Sequence, residues 1–401
     1  MDSDLLLVGA GAGILLVRAG MALHAIGSVR SKNSAGMGLR QLCDLLVCAL
    51  AFWAVGAAIL HMGKDVPALG LMGGATSRAM HADAQRFVQM CAMTLAAGIV
   101  VGAVSERARF WPMLAMSAVV GGVVLPLAGY LAWGGWLARL GYRDAAGASV
   151  IHLAGAVCAA SAAYVVGPRT GKFNRDGSSN AIPGHNVALE SGGAMLMLVG
   201  WFIYVAAFQH GRWEIGVAAT NVILAAATGL LSALLLSQAR YGKTDIHLGY
   251  GGMLGALVAS TAAAGQMGPW GAMATGVGAG LLVPTFVIVI DLRLRIDDPS
   301  SAIAAHGIGG AWGILAAGLF TQVDGVAARL RLLGVQATGM VAVAAAALFV
   351  AAVVLLILRT TTTLRAREAD EFDGLDLAEH DIGAYPDFQQ TMIKSYHLRE
   401  M

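Results

Sequence analysis

The chain is short of charge. Only 12% of its 401 residues are Asp, Glu, Lys or Arg, about half the share of an ordinary soluble domain. With 57% hydrophobic residues and a mean hydropathy of +0.70, a soluble globular fold is excluded. A net charge of +2 offers no basic face for nucleic acid. Cysteine is also scarce. Cys43, Cys48, Cys91 and Cys158 lie in apolar stretches without a CxxC or Cys/His cluster, so neither a disulfide framework nor a metal centre is expected. The opening MDSDLLLVGAG is acidic where a secretory leader is basic. No nucleophile–base arrangement, metal-ligand spacing or phosphate-binding glycine loop is present, which makes an enzyme the least favoured class and implies no cofactor. Proline is low at 9, whereas glycine is abundant at 53. Small residues let helices approach closely in a bilayer, and GAGAGI at 9–14 reads as such a packing stretch.

What is present is apolar sequence in long blocks. A membrane-crossing helix needs about 20 mostly apolar residues. Eleven such segments are predicted, at roughly 5–28, 42–62, 85–104, 109–133, 149–167, 187–208, 214–238, 248–265, 269–290, 302–321 and 335–359. The class is an all-α polytopic membrane protein. A transmembrane domain occupies 1–360, and a tail too charged for lipid occupies 361–401. Basic residues orient it. Loops after odd-numbered spans, with the start of the tail, carry fifteen, including Arg30, Lys32, Arg107, Arg109, Arg169 and Lys172. The opposite side carries eight: Lys64, Arg78, Arg86, Arg139, Arg143, Arg212, Arg329 and Arg331. The expected placement is multi-pass in the cell (inner) membrane, N-terminus outside and C-terminus in the cytoplasm.

A short echo divides the chain. His152-Leu-Ala-Gly-Ala returns as His306-Gly-Ile-Gly-Gly-Ala, each in the fifth segment of a group of five. Two inverted five-helix repeats, about 5–167 and 187–321, followed by an eleventh helix at 335–359, would bring these histidines together at mid-membrane. Of ten histidines, His61, His81, His185, His210, His247, His380 and His397 fall in loops, at helix ends or in the tail and read as solvated. His24, His152 and His306 fall in or beside apolar spans, where an ionisable ring marks a pathway more often than in a soluble core. A histidine pair can donate through one ring nitrogen and accept through the other, which suits passage of a small hydrogen-bonding solute or a proton.

Three further residues carry two readings each, Arg18 among them, which either snorkels to the interface or pairs across helices. Asp144, eight residues before His152, is either a helix cap or a carboxylate that draws cations to a mouth. Trp133 is either an interfacial aromatic or a ring face that holds a small cation, worth about 0.5–2 kcal/mol. Arg18 lies near the middle of the first segment, and neither Glu190 nor Asp44 sits at a clearly matching depth to pair with it.

Seven motifs in order resemble the ammonium transporter/methylammonium permease/Rhesus family over almost the whole chain. They are ALHAIGSVRSKN (22–33), VGAVSERARF (101–110), LAWGGWLARLGYRDAAGASVIH (131–152), GHNVALESGGAMLMLVGWF (184–202), AATNVILAAATG (218–229), DDPSSAIAAHGIGGAWG (297–313) and GLDLAEHDIGAY (374–385). The resemblance implies eleven helices, a pseudo-twofold between the halves, and a homotrimer in the lipid bilayer with one pore per subunit. It puts His152 and His306 on the twin pore histidines, Trp133 on the outer recruitment tryptophan, Asp144 on the aspartate supporting the outer site, and Trp201 beside the lower pore. It also makes ammonium or ammonia the substrate. The tail motif is similar to the element that couples subunits and contributes to regulation by a PII-type signalling protein, a candidate partner.

The departures concern the entrance. One of the family's two pore phenylalanines falls on Ala92, and a nearby one on Val88. The other falls on Tyr204, the asparagine after it on Val205, and an ammonium-holding serine on Phe208. An aromatic near the end of the first helix is His24, which gives either a third histidine in the lumen or a packing contact. An aspartate before the second histidine is Ser301. Deprotonation-coupled conduction of ammonia, with proton relay by the histidines, is the leading expectation. An ammonium-sensing protein with little flux, or a channel for another small amine or neutral solute, stands beside it.

Overall fold

The computed structural model describes residues 3–62, 77–209 and 212–386. Lys64, His210 and His397 lie outside the described residues, as do the side chains of Arg78, His81 and Arg212. Among the described residues, ten helices are long and apolar enough to cross a membrane. They are α1 (Asp4–Ser28), α2 (Ser31–Leu60), α3 (Ala84–Ala103), α4 (Phe110–Leu140), α5 (Ala148–Val166), α6 (Val187–Ala206), α7 (Glu214–Tyr241), α9 (Pro269–Leu292), α10 (Ile303–Phe320) and α11 (Val326–Thr361). A shorter apolar helix, α8 (Ile246–Ser260), lies between α7 and α9. Two short helices, α12 (Glu368–Asp373) and α13 (Leu375–His380), follow α11. No strand is formed among the described residues, only isolated bridges such as Met267 with Thr321.

The seam between α1 and α6 shows what the glycines do. Gly13, Gly20 and Gly27 recur every seven residues and face Gly200, Gly193 and Asn186, so the two helices run antiparallel. A Cβ on Gly20 would stand 2.6 Å from Gly193 O, and one on Gly193 would stand 2.5 Å from Gly20 O. Backbone meets backbone here, so the packing that replaces a hydrophobic drive in lipid is as close as it can be.

Segment ends depart from expectation in three places. α8 stops at Ser260, where residues 261–266 turn, rather than running to 265. α11 begins at Val326, about nine residues early, and its Arg329 donates to Leu319 O (2.5 Å) and Thr321 O (2.9 Å), capping the end of α10. α2 starts near Ser31 rather than 42 because its polar first turns are capped from a distance. The Asp376 carboxylate on α13 accepts from Ala35 N (2.9 Å) and Gly36 N (2.7 Å). That shift resolves Arg18. Its guanidinium meets Asp44 and Gln41 of α2 in a fully buried cluster. The late predicted start had set Asp44 at a helix end; in the fold it lies about three turns inside.

The tail end of the molecule, where α1 finishes, is held by a buried ion network. Glu106 accepts from Arg30, from Asn33 Nδ2 (2.9 Å) and from Arg169 Nη1 (2.7 Å). Arg169 grips Asp297 through two side-chain bonds of 2.8 and 2.9 Å. Burial alone would raise the Asp297 carboxyl, but Arg169 and Arg107 overcome this and hold it at about 2. Arg40 pairs with Glu379 and Arg365 with Glu371, binding α12 and α13 to the helical body.

Candidate functional site

Two aspartates prepare the site. Asp144 is 4% exposed, and both its oxygens are occupied. Oδ1 accepts from Gly147 N (3.0 Å) and Ala148 N (2.6 Å); Oδ2 accepts from Ser149 N (2.9 Å), Ser149 Oγ (2.6 Å) and Val150 N (3.0 Å). The start of a helix leaves four N–H groups without partners, and here one carboxylate takes all four. Of the two readings of Asp144, the structure shows the cap. Its oxygens are not open to a mouth, and its link to the entrance is its carbonyl, which accepts from Trp133 Nε1 at 2.6 Å. Burial pushes the carboxyl above the usual carboxylate range against the pull of the bonds from Ser149, Val150 and Ala148.

Asp298 does the same for α10, accepting from Ile303 N at 2.6 Å. Burial raises it to about 6. Each aspartate precedes its histidine by eight residues (152 − 144 and 306 − 298). Each histidine then lies on a π-helical stretch that opens its helix, Ala148–Leu153 and Ile303–Ile308. Wide turns of this kind re-aim side chains and occur most often at functional sites.

The two stretches bring the rings together. His306 Nδ1 lies 3.1 Å from His152 Nδ1, with the rings stacked 5.0 Å apart. Both residues are buried. One proton serves an Nδ1–Nδ1 contact, so one ring donates there and the other accepts. In the neutral pair the free Nε2 atoms are then one acceptor and one donor. Among the described residues His152 Nε2 has no partner, and neither has the buried Trp201 Nε1. Trp201 stacks on His152 at 5.4 Å.

Toward Trp133 the pair is covered by rings. Tyr204 stands 6.1 Å from His152, Phe208 stands 5.8 Å from Tyr204, and Trp133 stands 6.3 Å from Phe208. The Tyr204 hydroxyl donates to Ala146 O, which anchors it to the Asp144 turn. Ala92 and Val88 are both buried in the apolar core.

Ala305, the neighbour of His306, lines a cavity of about 150 Å³ together with His24, Glu190, His247, Ser300 and Ser301. His24 therefore fits both readings given to it: it lines this space, and its Nδ1 lies 3.5 Å from Glu190 O. Glu190 and His247 were missed. The sequence offers Glu190 only as a partner for Arg18 and places His247 at a solvated helix end. His247 is in fact half-exposed, with Nδ1 2.9 Å from Glu190 Oε2. A lone acid in the apolar stretch 187–206 was the available signal.

Among proteins of known kind, Amt2 of Archaeoglobus fulgidus, an ammonium transporter, is 33% identical over 94% of this chain and 87% of its own length. Amt1 of Haloferax mediterranei, also an ammonium transporter, is 31% identical over 94% of this chain and 77% of its own. A solved structure described as a sensor Amt protein superposes with a TM-score of 0.88 at 33% identity, covering 94% of this chain and 98% of that one. Mep2 of Candida albicans superposes at 0.81 with 25% identity, covering 92% of this chain and 88% of that one. The model of the Ammonium Transporter Family matches residues 5–385, nearly end to end, and the chain belongs to that family.

Proposed function

We propose that the protein moves ammonium across the membrane by shedding its proton at the Trp133 end and passing ammonia by His152 and His306. The observation that carries this reading is the buried histidine pair, joined at 3.1 Å with an unpartnered Nε2 on His152. Carrying an intact cation past so buried a pair is prohibitive, with an idealised cost of order 20 kcal/mol. Ammonia needs only a donor and an acceptor, which a neutral pair provides, and potassium has no neutral form. Trp133 and Phe208 recruit the cation, Tyr204 and Trp201 frame the path, and the pair relays the proton.

The same reading takes α8 as a membrane span, which makes eleven with the ten longer ones. It treats 5–167 and 187–321 as inverted repeats with α11 appended. The paired aspartate caps and π-helical starts of α5 and α10 support that symmetry. It places the N-terminus outside the inner membrane and the tail, 361–401, in the cytoplasm. The working unit is a homotrimer, and a PII-type protein is a candidate partner of the tail.

Reconstitution into proteoliposomes, with ammonium flux and current recorded together, tests the mechanism. Changing both His152 and His306 to Ala should remove most of the flux; unaltered flux would overturn it. A sensing role with little transport is the second reading, favoured by the edge-on run of rings from His152 through Tyr204 to Phe208 and by the likeness to a sensor Amt protein. Ammonium binding to purified protein without measurable flux would select it. A channel for larger amines gains no support from the buried Ala92 and Val88.

A further inference from the structure

The cavity on the tail side of the histidine pair contains a charge that the transport path does not use. Glu190 is an acid in an otherwise apolar helix and is 1% exposed. A buried carboxylate must find partners. Oε2 accepts from His247 Nδ1 at 2.9 Å, while Oε1 accepts from no group among the described residues. His24 reaches in from α1. With its Nδ1 turned to Glu190 O at 3.5 Å, its Nε2 keeps a lone pair. Ser300 and Ser301 add hydroxyl oxygens to the lining, and no lysine or arginine lines the space. Asp245, just before α8, adds negative charge close to His247. The volume of about 150 Å³ admits a small solute with a few waters. Ala305, the neighbour of His306, forms part of the wall.

The space is thus rich in acceptors, holds a buried carboxylate with no lysine or arginine among its described lining residues, and sets His24 and His247 beside that acid. Hard alkali cations want a shell of oxygens. An N–H cation uses nitrogen and oxygen acceptors alike. We propose that Glu190, flanked by His24 and His247, forms a cation site on the tail side of the pair that takes ammonium or the head of a small primary amine. The identity of the ligand rests on the transport reading; the cradle itself does not.

Thallium(I), similar to ammonium in charge and size, is the probe. Crystals of the full chain grown without ammonium and soaked in thallium(I) acetate should show an anomalous peak in contact with Glu190 Oε1. Ammonium acetate should abolish the peak, equimolar sodium acetate should not, and Glu190→Gln should reduce its occupancy at least tenfold. No peak at Glu190, a peak that persists in the Gln variant, or equal displacement by sodium overturns the site. If Glu190→Gln does not fold, His24→Phe should weaken the same peak, and an undiminished peak there overturns the site equally. Flux through wild-type proteoliposomes is measured separately. Flux without the peak defeats this site alone, and the peak without flux defeats the transport reading alone.

Discussion

Asp144 commits both carboxylate oxygens to five hydrogen bonds, and that arrangement decides what its replacement does. Asp144→Ala leaves four buried N–H groups and a hydroxyl without their acceptor. At about 1–3 kcal/mol for each such group, a large loss of thermal stability is expected in a detergent melt, with Asp144→Asn milder because one oxygen remains. Arg18 is the second residue on which much turns. Arg18→Ala strands Asp44 in the interior, an uncompensated charge that costs about 3–5 kcal/mol. Arg18→Met combined with Asp44→Asn should melt higher than Arg18→Ala alone. The sequence carried His152, His306, Trp133 and Asp144 legibly, because a polar group in an apolar run stands out. It did not carry the Arg18–Asp44 pair, because the apolar block places the start of α2 about three turns too late and so misplaces the depth of Asp44. Nor did it carry Glu190 with His247 and His24, since nothing in residue spacing brings α1, α6 and α8 to one cavity.

At the level of elements, the α1–α6 seam depends on the absence of side chains. Gly20→Ala places a methyl 2.6 Å from Gly193 O, where only backbone can give way. Overpacking of this kind costs about 1–3 kcal/mol, whereas Gly9→Ala, with nothing within 4 Å of the added carbon, should melt like the wild type. Most helices were legible from their apolar blocks, and the exceptions share one cause. α2 and α11 extend beyond the apolar stretch because partners remote in sequence complete them, Asp376 for α2 and the end of α10 for α11. A local window contains no trace of either. The equal spacing of Asp144 and Asp298 from their histidines is readable in the sequence and supports the proposed repeat more firmly than the glycine-rich echo around them.

For the molecule as a whole, the ion network at the tail end joins the loops after α1, α3 and α5 to the segment before α10. Asp297 is its acidic centre, held at about 2 against an ordinary 3.8. Because the folded value is depressed, its contribution, about 2 kcal/mol, is present above the unfolded value and disappears as pH falls from about 4 through 2. Asp297→Asn should therefore flatten the acid limb of the melting curve, besides lowering stability at neutral pH. The tail belongs to the same structure: Asp376→Ala should cost about 1 kcal/mol, as loss of a helix cap does, and should hasten proteolytic removal of residues beyond 361. The cap also has a temporal side. Ala35 and the Asp376 that completes its turn are 341 residues apart. At ordinary translation rates that gap lasts about 20–70 s, so the leading turn of the second helix stays unfinished until Asp376 has left the ribosome.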